Sequence, residues 1–205
     1  MTTPTVYVID DEEPIRDSLA LLLKSVGIAS RGFSEAREFL DAYHPDWAGC
    51  LLLDVRMPHL GGLELQQDLN RRGVTLPVIF MTAHGDVSLA VEAMRAGALD
   101  FLQKPFKDDE LLRRLQAALA HDARERERLQ QYENLRQRVE TLTPRELEVA
   151  LRIVAGQSNK LMAAELDLSE RTVELHRAHA MQKLEARSVA QLVRMMLDVD
   201  TPPAT

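Results

Sequence analysis

Five polar residues in the first half of the chain have the chemistry needed to accept a phosphoryl group. They are Asp10, Asp11, Asp54, Thr82 and Lys104. Carboxylate oxygens are the ligands that Mg²⁺ prefers, and Mg²⁺ often shares its coordination shell with phosphate oxygens. A carboxylate can also attack a phosphoryl group to form an acyl phosphate, while a lysine and a hydroxyl bind the phosphoryl oxygens. These residue types therefore indicate phosphoryl transfer to a carboxylate.

The five residues follow apolar segments that have the composition of buried strands. These segments lie at 5–9, 50–53, 78–81 and 99–102, with a weaker one at 28–31. Helical patterns separate them, and the clearest cover 13–25, 62–70 and 87–95. The alternation predicts βαβ units and a parallel sheet with helices on both faces. Ligands of such sheets bind beyond the carboxyl ends of the strands, so the five residues are expected to converge on one edge.

A shorter helix is predicted after the weak second strand. Ser34 is expected to be its N-cap, because a serine oxygen can accept a hydrogen bond from the first free amides of a helix. Phe39 and Leu40 are expected to lie within this helix.

The order and the local context of these residues resemble the receiver domain of two-component response regulators. The matching stretches are Asp10-Asp11, L-L-L-D-V-R-M-P around Asp54, F-M-T-A-H-G around Thr82, and L-Q-K-P-F around Lys104. The resemblance covers residues 4–120. It implies a flavodoxin-like α/β fold, with a five-stranded parallel sheet in the order 2-1-3-4-5.

The resemblance also implies a role for each residue of the acidic pocket. Asp54 is expected to be the phosphoacceptor. Asp11, Asp54 and the backbone carbonyl of Arg56 are expected to bind Mg²⁺ or Mn²⁺ directly, and Asp10 is expected to hold the metal mainly through water. Lys104 is expected to bind phosphoryl oxygens through its ammonium.

A switch is implied at the neighbouring strand ends. In the family the residue at the position of Thr82 binds a phosphoryl oxygen and moves toward it, and the aromatic residue at the position of Phe101 rotates inward. The Lys104-Pro105 peptide bond is expected to be cis. We further hypothesise that Val91 and Arg95 lie on the face through which two receivers pair.

The charge and the element pattern change along the chain. The formal net charge is −7, from 32 acidic and 25 basic residues. Residues 1–120 carry 18 acidic and 12 basic side chains, residues 121–140 carry five of each, and residues 141–205 carry nine and eight. We therefore predict a receiver domain over 1–120, a helical linker over 121–140 and a second domain over 141–205. The linker could be a solvated helix or a short coiled-coil seam, and the sequence leaves both open.

The last third of the chain contains short helical patterns and no strand candidates. Ser158, Ser169 and Ser188 are expected to cap three of these helices. The stretches L-T-P-R-E-L-E-V, G-Q-S-N-K-L-M-A-A-E-L and S-E-R-T-V-E-L-H-R-A-H-A-M-Q-K-L resemble the LuxR/NarL-type helix-turn-helix domain. The whole chain is most similar to the FixJ branch of that family.

Helical geometry divides the third of these helices into two faces. At 100° per residue, Leu175 lies on one side of the helix, and the residues on the opposite side must be core, namely Val173, Ala180, Met181 and Leu184. An exposed leucine is explained if that face enters a major groove, where apolar side chains contact thymine methyl groups.

The resemblance supplies a set of candidate DNA contacts. The residues expected to face the bases are Glu174, Leu175 and Ala178. Those expected to contact the DNA backbone are Asn159, Lys160, Arg171, Thr172, His176 and Lys183. Several relatives carry a basic residue at the position of Glu174, so the specificity of this chain is expected to differ from theirs.

These features together predict a phosphorylation-activated transcription regulator. A sensor histidine kinase is expected to phosphorylate Asp54, after which the chain forms a homodimer and binds double-stranded promoter DNA, with RNA polymerase as a further partner. The chain is not expected to be an enzyme beyond self-phosphorylation from a donor and autodephosphorylation. A single cysteine, Cys50, fits a reducing compartment, and no signal peptide or membrane span is expected, so the predicted location is the bacterial cytoplasm.

Two alternatives belong to other functional classes. An aspartate-nucleophile phosphatase of the haloacid dehalogenase type would need a D-x-D-x-[TV] loop after the first strand, where this chain has adjacent aspartates. A regulator that acts only through protein contacts would show no salt-dependent DNA binding.

Overall fold

The computed structural model describes residues 3–83 and 87–200 of the 205-residue chain. Its strands are β1 (Thr5–Ile9), β2 (Ala29–Phe33), β3 (Gly49–Asp54), β4 (Val78–Thr82) and β5 (Asp100–Gln103). The helices among them are α1 (Glu13–Ser25), α2 (Ala36–Ala42), α3 (Gly62–Arg71), α4 (Val87–Arg95) and α5 (Asp108–Glu140). They are followed by α6 (Pro144–Val154), α7 (Asn159–Leu166), α8 (Glu170–Lys183) and α9 (Val189–Asp200). The chain divides into two compact units, and the boundary between them along the sequence falls between Glu125 and Arg126.

The first unit is built on a parallel sheet in the order β2-β1-β3-β4-β5. This confirms the predicted fold class and strand order. Side chains of β3 alternate between the two faces of the sheet. Leu51 and Leu53 pack with residues of α2 and α3, whereas Cys50 and Leu52 pack with residues of α1 and α5. Burial on both faces explains why the central strands are continuously apolar.

A close backbone approach fixes the beginning of β3. Gly49 has a φ of +136°, and a Cβ atom there would lie 1.8 Å from the carbonyl oxygen of Thr5. The backbone N–H of Gly49 donates to Oδ2 of Asp122, a buried residue of α5, over 2.8 Å. Burial and the charge of Asp122 raise the pKa of the Cys50 thiol to about 12, so this thiol stays protonated at neutral pH.

The prediction that Ser34 caps α2 is wrong. The N-cap is Glu35, whose side chain makes no capping hydrogen bond. The backbone N–H and the hydroxyl of Ser34 both donate to Oε2 of Glu38, over 2.9 and 3.0 Å. The glutamate one turn into the helix thus reaches back to Ser34, and the serine hydroxyl acts as a donor. In addition, β2 and β5 lie one or two residues later than predicted.

The predicted linker lies within the single helix α5, which begins in the first unit and ends in the second. Its 33 residues correspond to a length of about 50 Å. Near its end, Val139 packs against the core of the second unit together with Leu142, and the hydroxyl of Tyr132 donates to the backbone oxygen of Val199 over 3.4 Å. None of the helices in the described part of the chain is both long and apolar enough to cross a bilayer.

The second unit is a small helical domain around α8. Its buried residues include Val149, Met162, Val173, Leu184 and Leu192. The predicted capping serines are confirmed, because the Oγ atoms of Ser158, Ser169 and Ser188 accept hydrogen bonds from the backbone N–H groups of residues 161, 172 and 191. Consecutive helices α7 and α8 pack against each other, as expected for a helix-turn-helix.

Candidate functional site

The acidic pocket lies at the carboxyl edge of the sheet. The ammonium of Lys104, which follows β5, donates to Oδ2 of Asp10 and to Oδ1 of Asp54, and both distances are 2.7 Å. Asp10 is fully buried and Asp54 is only 7% exposed. Aspartates are rarely so deeply buried unless they are paired, and here one lysine pairs both.

Backbone contacts fix the two buried carboxylates in position. Oδ1 of Asp10 accepts a hydrogen bond from the backbone N–H of Glu12 over 2.9 Å, and Oδ2 of Asp54 accepts one from the N–H of Arg56 over 2.7 Å. Behind Asp54, a Cβ atom on Gly62 would lie 2.3 Å from the Asp54 carbonyl oxygen. Glycine at the first position of α3 therefore allows this helix to pack directly against the backbone of the predicted phosphoacceptor, a contact that was not predicted from the sequence.

The electrostatics of the pocket favour a charged lysine. Burial raises the pKa of Asp54, although hydrogen bonds from Lys104 and from the N–H of Arg56 oppose this effect. Burial alone would lower the pKa of Lys104, but its hydrogen bonds to Asp10 and Asp54 outweigh burial and the pKa is raised. Lys104 is therefore cationic at neutral pH and can neutralise the charge of an incoming phosphoryl group.

The donor set fits a divalent cation that keeps several non-protein ligands. One ammonium faces two buried carboxylates, and the exposed carboxylate of Asp11 follows directly after Asp10. Within residues 3–83 and 87–200, no three acidic, histidine or cysteine side chains form a metal site by themselves. A cation at this edge would thus also need oxygens from the Arg56 carbonyl, water or a phosphoryl group, which suits Mg²⁺.

The two predicted switch residues lie on neighbouring strands. Thr82 ends β4 and is only 2% exposed, and its backbone oxygen accepts a hydrogen bond from the N–H of Lys104 over 2.6 Å. The Lys104-Pro105 peptide bond is cis, as expected. Phe101 of β5 is half-buried against the core cluster that also contains Phe80. Thr82 thus lies at the edge of the sheet that carries the pocket, whereas Phe101 lies opposite Phe80 on the neighbouring strand, three residues before Lys104.

The predicted pairing face contains an apolar patch. Val91 of α4 is 44% exposed, and Met94, one turn further on, is 48% exposed. Arg95 beside them is exposed as well. Met94 was not among the predicted residues, although the i, i+3 spacing from Val91 would place both on one helix face.

The outer face of α8 is open to solvent. Leu175 is 53% exposed, and Arg171, Glu174 and Ala178 are exposed as well. The opposite face is buried through Val173 and Ala180, and Met181 beside them is half-buried against the same core. The predicted division of the helix into a core face and a free face is therefore confirmed.

The other candidate DNA contacts differ in their partners. Lys160 is exposed, and Thr172 and His176 are half-buried. Oδ1 of Asn159 accepts a hydrogen bond from Nη1 of Arg177 over 3.2 Å. Lys183 differs most, because its ammonium is bonded inside the second unit.

Glu146 is a buried acid that was not predicted to have a role. It is 4% exposed and accepts hydrogen bonds from the Lys183 ammonium over 2.6 Å and from the N–H of Thr143 over 2.8 Å. Its own N–H donates to Oγ1 of Thr143, which completes a capping box at the start of α6. The Thr-x-x-Glu spacing in the sequence is the signal that could have revealed this cap.

Acid is expected to weaken the second unit through Glu146. The hydrogen bond from Lys183, followed by that from the Thr143 N–H, lowers the pKa of Glu146 from 4.5 to about 2. Its stabilisation is therefore complete above pH 4.5 and is lost as the pH falls toward 2. The ionisable groups next to the Glu146 carboxylate are the ammonium of Lys183 and the ring of His179, whose Nδ1 lies 3.6 Å away.

Thermal unfolding of the wild type and of Glu146→Gln, followed by circular dichroism from about pH 2 to neutral, checks this expectation. The difference in Tm between the two proteins should be largest at neutral pH and should vanish at the acid end of this range. A difference that stays constant throughout would contradict it.

Comparison with known proteins gives two family matches. The family described as response regulator receiver domain matches residues 6–116, and the family described as bacterial regulatory proteins, luxR family, matches residues 140–196. Nodulation protein W of Bradyrhizobium diazoefficiens is 46% identical over 194 residues, which cover 95% of this chain and 86% of that protein. The transcriptional regulatory protein FixJ of Azorhizobium caulinodans is 45% identical over 199 residues, which cover 97% and 94%.

Solved structures show the same similarity. The structure of the response regulator StyR is 41% identical, with a TM-score of 0.88, and the match covers 96% of this chain and 100% of that one. Full-length FixJ from B. japonicum is 42% identical, with a TM-score of 0.60 and coverage of 98% and 100%. Both matches extend over the sheet and over the helices that follow it.

Proposed function

Because this chain belongs to the response regulators that join a receiver domain to a LuxR-type DNA-binding domain, we propose that it is a transcription regulator activated by phosphorylation of Asp54. A histidine kinase supplies the phosphoryl group, after which the chain forms a homodimer and binds promoter DNA. The observation that carries this proposal is the buried Asp54 carboxylate, hydrogen-bonded to Lys104 at the carboxyl edge of the sheet. Members of this family are regulators and not typical enzymes.

The proposed chemistry is an in-line displacement at phosphorus. An oxygen of Asp54 forms the new bond to phosphorus, while the bond from phosphorus to the histidine nitrogen of the kinase breaks and that nitrogen keeps the electron pair. Lys104 neutralises charge on the phosphoryl oxygens. Asp10, Asp11, Asp54 and the Arg56 carbonyl would hold Mg²⁺, which when bound supplies further neutralisation of that charge.

The proposed switch follows from the charge that the acyl phosphate brings. A phosphoryl group on Asp54 offers new acceptor oxygens at the strand ends, and we propose that the Thr82 hydroxyl moves to donate to one of them. Thr82 is buried, so its movement frees space beside β5, and Phe101 turns inward to fill it. The surface of α4 and β5 then changes shape, which makes it a two-state element biased by a local charge.

Substitution of Val91 is expected to weaken the pairing of phosphorylated chains. Val91→Asp puts a carboxylate into the proposed apolar contact twice, once from each copy, and should weaken dimerisation by at least about tenfold. Sedimentation of the full chain with acetyl phosphate and Mg²⁺ measures this effect. Leu21→Asp is the matched control, because Leu21 of α1 is also exposed, at 72%, and lies outside the proposed face. Unchanged dimerisation of Val91→Asp would reject this face.

The proposed DNA contacts use the outer face of α8 and the beginning of α7. Residues 156–187 carry five basic and five acidic side chains, so general attraction to phosphates contributes little for one copy. Binding of a dimer to a two-fold site doubles every contact. On the same family grounds, we place the chain in the bacterial cytoplasm, with RNA polymerase as the downstream partner.

Selection from a random pool of double-stranded DNA tests the proposed function. The full chain is used with and without acetyl phosphate and Mg²⁺. The expected result is enrichment of a two-fold site that depends on the phosphodonor. Equal enrichment without the donor would remove phosphorylation as the control step, and no enrichment in either arm would favour a regulator that acts through protein contacts.

Substitution of Leu175 is expected to abolish specific binding to the selected site. Leu175→Glu removes an apolar contact to a base and puts a carboxylate next to the phosphates, which should cost about 2 kcal/mol or more per copy. Fluorescence anisotropy with the selected site measures the affinity. Leu151→Glu serves as the control, since Leu151 of α6 is similarly exposed, at 49%, and lies outside the proposed interface. Equal affinities of the two variants would contradict the assignment of this face.

A further inference from the structure

We infer that Lys183 is a positioning residue, which together with Glu146 fixes the C-terminal end of the DNA-reading helix α8 to the segment between α5 and α6, and that it does not bind a DNA phosphate. The inference deepens the proposed function and rests on it, because the helix end that is fixed belongs to the proposed reader. It also departs from the expectation drawn from family resemblance, which places Lys183 on the DNA backbone.

The ammonium of Lys183 is already bonded on two sides. It donates to Oε2 of Glu146 over 2.6 Å and to the backbone oxygen of Thr141 over 3.1 Å. Lys183 is the last residue of α8, whereas Thr141 directly follows α5 and Glu146 lies in the first turn of α6. One side chain thus joins the end of the reader helix to both sides of the turn between α5 and α6.

Apart from Lys183, few groups stabilise the negative charge of the buried Glu146 carboxylate. The side chain of Glu146 is only 5% exposed, so water solvates it poorly. Among the described residues, its remaining polar contacts are the N–H of Thr143 and the more distant ring of His179, 3.6 Å away. Removal of the lysine to a phosphate would leave a buried carboxylate without its cation, which is strongly unfavourable. The low pKa of Glu146 agrees with this, since the carboxylate is charged at the neutral pH at which DNA binding is measured.

Lys160 provides an internal comparison. It lies in the first turn of α7, is exposed, and has no hydrogen bond or ion pair with any described residue of the chain. The two lysines therefore differ in the availability of their charge, although family resemblance places both on the DNA backbone. Of these two, Lys160 is the one whose charge is not already paired with a carboxylate of the described residues.

Salt dependence of DNA binding distinguishes the two roles. Each phosphate contact that is lost reduces the slope of log K against log salt concentration by about 0.9. Because each contact occurs twice in the dimer, we expect Lys160→Met to reduce the slope by about 1.8, twice this amount. Lys183→Met should lower the affinity several-fold without changing the slope, and Lys183→Arg should restore most of the affinity. A slope reduced by Lys183→Met as much as by Lys160→Met would overturn the inference.

A second measurement needs no DNA. Hydrogen exchange of the amides at the end of α8 is followed in the full chain for Glu146→Gln, Lys183→Met and the double variant. We expect faster exchange in each single variant and no further increase in the double variant, because both substitutions break the same contact. Additive effects, or exchange as slow as in the wild type, would overturn the inference. Wild-type chain that binds no DNA would instead reject the proposed function, and the exchange result would still decide whether this contact fixes the helix.

Discussion

Asp54→Asn is expected to lose all phosphodonor-dependent behaviour while keeping its fold. An amide nitrogen does not attack phosphorus, so no acyl phosphate forms and the receiver stays in its starting state. The substitution removes the cost of burying the Asp54 charge and its repulsion from Asp10, but it also weakens the ion pair with Lys104. Because these effects oppose each other, we expect little change in stability. The measurement is phosphate-affinity electrophoresis after treatment with acetyl phosphate and Mg²⁺, followed by anisotropy with the selected DNA.

The matched control for this variant is Asp17→Asn. Asp17 lies on the exposed surface of α1, so its substitution removes the same charge outside the pocket. The control should be phosphorylated and should respond to the donor like the wild type. A retarded band in Asp54→Asn, together with donor-dependent DNA binding, would show that another residue accepts the phosphoryl group.

Gly49→Ala is expected to cause the largest loss of stability among these variants. The new Cβ would lie 1.8 Å from the Thr5 carbonyl oxygen, in a backbone conformation with a φ of +136° that L-residues scarcely adopt. Relief of this clash would separate β3 from β1 at the centre of the sheet and would disturb the hydrogen bond to Asp122. We expect a cost on the order of 4 kcal/mol, the size of effect associated with overpacking combined with backbone strain.

Urea unfolding followed by the fluorescence of Trp47 measures this cost, because the single tryptophan of the chain lies in the first unit. Gly73→Ala is the control. Gly73 also has a positive φ, of +68°, but a Cβ atom there would meet nothing within 4 Å. Gly73→Ala should lower the free energy of unfolding by only about 1 to 2 kcal/mol, because it adds backbone strain without a clash. Equal unfolding midpoints for the two variants would show that the approach to Thr5 is not rigid.

The acidic pocket could be anticipated from sequence because sheet topology brings strand ends together. Asp10, Asp54 and Lys104 are far apart in the chain, yet each lies at the end of a buried apolar strand, and parallel strands all end at the same edge. The free face of α8 could be anticipated for a similar reason, since helical periodicity alone separates Leu175 from Val173. In both cases a regular structure, the parallel sheet or the α-helix, fixes where residues at a given sequence spacing lie in space.

Contacts that depend on tertiary packing could not be anticipated in the same way. Lys183 and Glu146 are 37 residues apart, and no periodicity relates a residue at the end of one helix to a residue in the first turn of another. Ser34 shows that local contacts can also be mispredicted. Its hydroxyl and its backbone N–H both donate to the side chain of Glu38, and the hydroxyl therefore does not cap the helix. The close approach of Gly49 to Thr5 likewise depends on the path of β1. The presence of a glycine at position 49 does not by itself reveal that path.

The hydrogen bond between Asp122 and Gly49 has a consequence for how such chains can be recombined. An exchange of output domains with a relative, joined at residue 120, would leave the buried amide at the start of β3 without the acceptor that this chain supplies. A junction after Glu125 would keep donor and acceptor in one inherited piece. In this chain, the junction at which output domains can be exchanged therefore lies inside α5. It lies after Asp122, because the first residue of β3 needs the carboxylate of Asp122 as its hydrogen-bond acceptor.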